Sequence, residues 1–314
     1  MAKVAFLFPG QGSQYVGMGQ ELANQYPDVM RHFTEAGDLL GFDLAKLCWE
    51  GPEEELKKTA NQQPAILTVS VACLSLLHEA GLKPDVVAGL SLGEYSALVA
   101  AGALTFSEAV PLVRKRGTYM QDAVPTGVGG MAAVLGLDAA KVDEVCGIAR
   151  QETGMVVEGA NYNCPGQIVV SGHNPAVDRA VELVAAAGGK GVKLSVTAPF
   201  HSSLLVPAGR MLSGALADIS VRDAQVPLVA NVTADYVTEA SAIRDLLVRQ
   251  VSSPVRWEES VRRMIADGVG IFIEVGPGKA ITGFLKKIDR KLKVLNIEDA
   301  QSLGKVLDSC GRVC

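Results

Sequence analysis

The chain opens on an unbroken apolar run. KVAFLFPG (3–10) shows no alternation and ends at Pro9-Gly10, which predicts a strand buried on both faces. A polar, Gly-rich loop follows (10–19), then amphipathic helical segments to about Leu77. PAILTVSVACLSLL (64–77) is apolar but punctuated with Ser and Thr, and reads as a buried helix too short to span a bilayer. DVVAG (85–89) predicts a second short buried strand, and GEYSALVAAGAL (93–104) the helix after it. TFSEAVPLVRKRGTYMQDAV (105–124) predicts another helix, with Thr105 or Ser107 near its start. Strands alternating with helices imply a mostly parallel sheet covered on both faces, with sites at the C-terminal ends of its strands.

The texture changes at PTGVGG (125–130). A strand at 130–137, a helix capped by Asp138, strands at 155–163 and 166–172, a helix begun by an Asn174-Pro175 cap pair, and a strand at 190–196 follow. This β-α-β-β-α-β order is the ferredoxin-like motif. Strands in VPLVANV (226–232) and GIFIEVGPG (270–278), and helices at 242–251 and 258–268, return to the first texture. The expected architecture is therefore α/β: a large α/β-hydrolase-like domain (1–124 and 198–314) with a mostly parallel sheet, and an inserted ferredoxin-like βαββαβ subdomain (125–197).

Composition narrows the classes. The 314 residues are 48% hydrophobic and 20% charged with a net charge of −5, enough to bury a large core. No Lys/Arg stripe marks a nucleic-acid surface, and KKIDRKLK (286–293) reads as a solvated helix end and loop. The six cysteines (Cys48, Cys73, Cys146, Cys164, Cys310, Cys314) form no C-x-x-C pair and have no histidine at metal spacing. Reduced thiols in a cytoplasmic protein are expected, with no metal and no signal peptide.

The chemistry centres on GLSLG (89–93). A strand that enters a helix without a loop turns sharply, and small residues two positions either side relieve the crowding around the corner residue. This is the G-x-S-x-G nucleophile elbow, with Ser91 at the corner. The bland alternative is a Gly-rich turn whose serine caps the helix. A serine nucleophile needs a base. Of four histidines, His32 reads as a surface residue, His78 as a favourable cation at a helix C-terminus, and His173 as part of a strand-to-helix turn. His201 lies in TAPFHSSLL, where the inserted unit rejoins the large domain, and domain junctions hold clefts. His201 is the preferred base, with a helix-capping role as the alternative. No Asp or Glu has the setting of a triad acid; Glu274 and Asp245 are the available ones.

Seven segments then coincide in order: FLFPGQGSQYVGMG, GLSLGEYSALVAAGAL, RKRGTYMQ, NYNCPGQIVVSG, PFHSSLL, LVRQVSSPVRW and EVGPGK. Over essentially its whole length the chain resembles the malonyl-CoA:acyl-carrier-protein transacylases of type II fatty acid synthesis. The resemblance implies Ser91 as acylated nucleophile, His201 as general base and acid, and Gln250 as acceptor for the imidazole through a carbonyl oxygen. It implies an oxyanion hole from the backbone N–H groups of Gln11 and Leu92, and Arg116 as a bidentate clamp on the malonyl carboxylate. Without it, Arg116 would read as a solvated helix-face arginine beside Arg114 and Lys115. Asn161, Asn163 and Gln167 are expected at the cleft wall, with Asx turns as the alternative. Phe200 resembles the malonyl-selecting form of its loop. Many relatives carry histidine before the nucleophile, where this chain has Leu90.

The expected function is transfer of malonyl from malonyl-CoA to the phosphopantetheine thiol of acyl carrier protein, by a ping-pong route and as a monomer. CoA is a substrate, not a cofactor, and no cofactor, membrane or nucleic acid is involved. The alternatives are a serine thioesterase, in which water resolves the acyl-enzyme, and an inactive carrier-binding scaffold.

Overall fold

A computed structural model describes residues 2–196 and 198–310. The expected boundary at residue 197, and Cys314, lie outside the described residues. The strands are β1 (Lys3–Phe8), β2 (Val86–Gly89), β3 (Gly129–Leu135), β4 (Val157–Cys164), β5 (Gln167–His173), β6 (Lys190–Lys193), β7 (Leu228–Val229), β8 (Tyr236–Val237), β9 (Val269–Val275) and β10 (Lys293–Ile297).

Six of them form one sheet in the order β10-β9-β1-β2-β7-β8, parallel except for the β7–β8 pair. The apolar run of β1 has its reason here. Phe6 and Phe8 pack into the core on one face, Ala5 and Leu7 into the core on the other. A strand covered twice has no solvent face and needs no alternation. The register sets Phe8 beside Gly89, so β1 and β2 end together.

The other four strands form an antiparallel sheet, β4-β5-β3-β6. The helices Ala139–Thr153 and Asn174–Ala186 cover one face of it, packed on Ala132, Val134, Ile168 and Val170. Met131 and Val169 point the other way and line a cavity against the large sheet. This strand order and antiparallel pairing are those of a ferredoxin-like unit.

Several local expectations shift. Asp138 accepts from the Lys141 N–H as a helix cap, and Thr105 forms a capping box with Glu108. The cap before Pro175 is His173 rather than Asn174, because Asn174 already lies in the helix and donates its side chain to Gly127 O. β7 is only two residues long, since Asn231 has left the ladder to serve the site. The buried helix runs Thr59–Glu79, longer than the sequence pattern implied. Its length and apolar composition would suffice to cross a membrane, but its most apolar window is 83% buried inside the fold, as a core helix is. His78 near its end has a pKa lowered by burial and by Lys83, so it is not the stabilised cation expected there. His32 is half-buried, bonded to Asp28 O and edge-on to Phe106.

Candidate active site

Backbone crowding dictates the elbow. A Cβ on Gly89 would lie 1.9 Å from Gly93 C, one on Gly93 2.0 Å from Phe8 O, and one on Gly10 2.3 Å from Leu90 O. Three glycines thus let the first loop, the end of β2 and the helix Gly93–Ala100 meet at one point. Ser91 pays for that corner with a left-handed backbone, φ 54°, and His201 has φ 59°. Non-glycine residues held there are strained, and such strain clusters at functional sites. Asn231 fastens the corner: Ser91 N–H donates to its Oδ1 at 2.7 Å, and its Nδ2 donates to Gly89 O at 2.7 Å.

Around Ser91 the buried polar groups form one array. Ser91 Oγ lies 2.7 Å from His201 Nε2. His201 Nδ1 lies 2.9 Å from the main-chain carbonyl of Gln250, which can only accept. That contact puts the proton on Nδ1 and leaves Nε2 as the acceptor for the serine proton. Burial, and next the charge of Arg116, push the His201 pKa down to about 4. Glu274 and Asp245 are elsewhere. Glu274 accepts from Ile281 N–H and Thr282 N–H at the start of a helix, and Asp245 pairs with Arg249.

Arg116 is fully buried rather than solvated. Its Nη1 donates to Gln63 Oε1 at 2.9 Å. Its Nη2 donates to Gln250 Oε1 at 2.8 Å and to Ser91 Oγ at 3.2 Å. Its Nε–H has no acceptor among the described residues. Tyr95 stacks beneath the guanidinium, 5.3 Å from ring centroid to Cζ. Neighbouring Arg114 faces outward, over Phe42.

A cavity of about 710 Å³ opens over Ser91 and His201 of this array, within the range that holds small ligands. Gln11, Leu90, Ser91, Asn161, Asn163, Phe200 and His201 line it. Asn163 Oδ1 is buried with no donor against it among the described residues. Gln167 is not in that wall; its Oε1 accepts from Lys287 on the outer side. Cys164 packs in the core, where burial raises its thiol pKa. Leu92 begins the helix after Ser91 with helical φ and ψ, so its N–H belongs to the first turn, which has no intrahelical acceptor.

Three polar residues of the array escaped the sequence reading. Gln63 and Asn231 look like ordinary helix-start and strand-end residues. Glu94 had a usable signal: it is the lone charge in an otherwise apolar helix, three residues past the serine, and it is 1% exposed.

The fold and this site define an α/β protein with a serine at a nucleophile elbow, the arrangement shared by acyl-transferring and acyl-hydrolysing enzymes. Which of these it is follows from comparison: the chain belongs to the acyl transferase domain family, whose model matches residues 5–309. It is 50% identical over 304 residues to the malonyl CoA-acyl carrier protein transacylase of Bacillus subtilis, covering 96% of each chain. With the Escherichia coli K12 protein of the same name it shares 46% over 310 residues, 98% of this chain and 100% of the other. The crystal structure of the Clostridium perfringens transacylase superimposes with a TM-score of 0.95 at 44% identity, covering 99% of this chain and 98% of that one. A malonyl-transacylase solved in complex with a type II PKS acyl-carrier protein gives 0.96 at 43% identity, covering 98% and 100%.

Proposed function

We propose that this enzyme transfers malonyl from malonyl-CoA to the phosphopantetheine thiol of an acyl carrier protein through a malonyl ester on Ser91. The observation that carries the proposal is one hydrogen-bonded array containing both Ser91–His201 and the buried Arg116.

In the first half-reaction His201 Nε2 takes the Ser91 proton as Oγ attacks the thioester carbonyl. The negative oxygen that develops is received by the N–H groups of Leu92 and Gln11; one such donor is worth about 10²–10³ in rate. Collapse breaks the carbon–sulfur bond, and the imidazolium returns its proton to the departing CoA sulfur. In the second half the carrier thiol gives its proton to His201 and attacks the ester. Breaking the ester bond returns the proton to Ser91 Oγ. Protons and bonds balance among these groups, with CoA as product. The main-chain carbonyl of Gln250 does the orienting that a carboxylate does in a serine triad.

Arg116 supplies the preference for malonyl. The free carboxylate of malonyl is one methylene from the reacting carbonyl, about 2.5 Å carbon to carbon. A cation for it must therefore sit beside the nucleophile, and Nη2 is 3.2 Å from Ser91 Oγ. A carboxylate in a dry site needs a fixed partner with aligned donors, which a guanidinium provides. Phe200, buried at the cavity wall, crowds an added α-methyl group, a discrimination of about 1–3 kcal/mol. Asn161 and Asn163 supply polar groups to the rest of the acyl-thioester. Cys48, Cys73 and Cys146 are free buried thiols whose pKa values burial pushes up, and free thiols fit a reducing cytoplasm.

The test is the ratio of kcat/KM for malonyl-CoA to that for acetyl-CoA in wild type and Arg116→Ala. Acetyl has no carboxylate and leaves the arginine without its partner. Removing Arg116 should shrink the ratio by an amount on the order of a broken buried pair, about 3–5 kcal/mol before relaxation. An unchanged ratio removes Arg116 from substrate recognition.

A further inference from the structure

Arg116 presents a charge problem that its hydrogen bonds do not solve. The guanidinium is fully buried, yet its acceptors among the described residues are all neutral: Gln63 Oε1, Gln250 Oε1 and Ser91 Oγ. A buried cation needs a compensating anion nearby. Two neighbours act on its charge, Tyr95 first and then the carboxyl group of Glu94; with the Tyr95 pKa raised to about 12, Glu94 is the one that supplies an anion near neutral pH.

Glu94 is itself buried, three residues past the nucleophile on the same helix. Its Oε2 accepts from Asn231 N–H at 2.9 Å and from Gln250 Nε2 at 3.0 Å. The same Gln250 amide turns its Oε1 to Arg116. Anion, amide and cation thus stand in a row. The amide cannot reverse, because Nε2 also donates to Ser91 O at 3.0 Å, and a flipped oxygen would face two acceptors.

We propose that Glu94 is the resting counter-charge of Arg116, and that a substrate carboxylate arriving at Arg116 displaces it electrostatically, so that Glu94 takes up a proton from solvent as malonyl binds. The inference rests on Arg116 being the malonyl clamp. With malonyl in place the cluster would hold two anions and one cation in a site of low dielectric. The anion held by two neutral donors among the described residues, Asn231 N–H and Gln250 Nε2, is the one that neutralises. Protonation at Oε1 leaves Oε2 accepting from Asn231 and Gln250, so neutralisation need not disturb the elbow. Burial, partly offset by the bonds from Asn231 and Gln250 and by the charge of Arg116, pushes the resting Glu94 pKa up to about 7.

The groups around Glu94 make the titration separable. The helix Phe106–Asp122 presents Arg116, and Tyr95 adjoins on Glu94's own helix, its pKa raised to about 12. The segment after β7 and the helix Ala240–Gln250 present amides, from Asn231 and Gln250. His201, across Ser91, has its pKa held near 4 and stays neutral near neutral pH.

The experiment follows protons during acylation of the full-length enzyme in lightly buffered solution at pH 8 with an indicator dye, normalised to acyl-enzyme by intact mass. Malonyl-CoA is compared with acetyl-CoA so that ionisation of the released CoA thiol cancels. Wild type should take up a fraction approaching about one proton per malonyl group beyond the acetyl control. Glu94→Gln, which keeps an acceptor in place but no charge, should show no difference. In wild type the malonyl/acetyl ratio of kcat/KM should fall as pH rises through the Glu94 titration, by up to about tenfold per unit before it levels. Titration of His201 affects both substrates and cancels. In Glu94→Gln the ratio should be independent of pH and higher than wild type at pH 8, because no second anion competes. A merely structural role for Glu94 would move neither the proton count nor the pH dependence of the ratio.

Equal proton counts for the two substrates in wild type overturn the proposal, and this measurement needs no variant. So does a Glu94→Gln enzyme that takes up the proton as before. If Arg116→Ala shrinks the ratio while wild type takes up no proton, Glu94 is excluded and the clamp stands. If Arg116→Ala leaves the ratio unchanged, the clamp fails and this inference with it.

Discussion

Replacing Gln250 by alanine separates the two jobs of that residue. The substitution deletes the side-chain amide but leaves the main-chain carbonyl that receives His201 Nδ1–H at 2.9 Å. It removes one acceptor from Arg116 and one donor each from Glu94 and Ser91 O. Two of those three bonds involve buried ionisable groups, each worth about 1.5–3 kcal/mol. Arg116 keeps Gln63 and Ser91 Oγ, and Glu94 keeps Asn231 N–H, so part of the loss is recovered. The net penalty on malonylation should be about 2–4 kcal/mol, roughly 30- to 10³-fold in kcat/KM. Acetyl transfer, which does not use the clamp, should fall less. The orienting bond to His201 survives, so the acid limb of the pH profile should stay where it is in wild type. Stopped-flow acylation with both acyl-CoAs between pH 4 and 8 measures all of this. Loss of an orienting side chain in a serine triad costs about 10⁴. A loss of that size for malonyl and acetyl alike, with the acid limb moved toward 6.5, would show that the glutamine side chain orients the imidazole and would refute the reasoning.

Two further outcomes follow from the same geometry. With the His201 pKa lowered to about 4, the imidazole is neutral across the physiological range; if it is the base, acetylation, free of the Glu94 effect, should lose activity only below about pH 5. The same depression has a stability consequence: between about pH 4 and 6.5 the unfolded chain binds more protons at this position, so its contribution to stability is lost as pH falls through that window, which thermal melts of wild type and His201→Gln would separate. Gly93→Ala should be destabilised by about 3 kcal/mol or more, because its Cβ would lie 2.0 Å from the backbone oxygen of Phe8, and a melting temperature within a degree or two of wild type would contradict the crowding argument.

Much of this fold was legible because its signals are local. The two-sided burial of β1 appears as a run without alternation, and the elbow appears as glycines flanking Ser91. The ferredoxin-like unit appears as an order of short periodic segments. His201 was reachable from its place at a junction. Arg116 was not: a helix of mixed face with three adjacent basic residues gives no sign of which one turns inward. Only the packing of its helix on Thr59–Glu79 buries that position, where a Cβ at the next residue, Gly117, would lie 2.5 Å from Thr59 O. The likeness to a family supplied what periodicity could not. The resemblance implied the Gln250 contact as a carbonyl, but whether main chain or side chain was a matter of three-dimensional approach. Asn231 and Gln63 were missed because a buried polar residue is recognisable only by what it touches. Gln167 was misplaced because its strand neighbour Cys164 and the alternation of Asn161 and Asn163 do not say where the β4–β5 turn leaves the cleft.

Malonylation of Ser91 is the claim on which the rest depends, and intact-protein mass spectrometry after brief exposure to malonyl-CoA tests it most directly. One malonyl mass should appear, localise to the peptide containing Ser91, disappear on addition of holo acyl carrier protein with malonyl recovered on the carrier, and be absent from Ser91→Ala. An adduct on Cys164 or any other residue, or a Ser91 adduct discharged to free malonate as fast without a thiol acceptor as with one, would contradict the account.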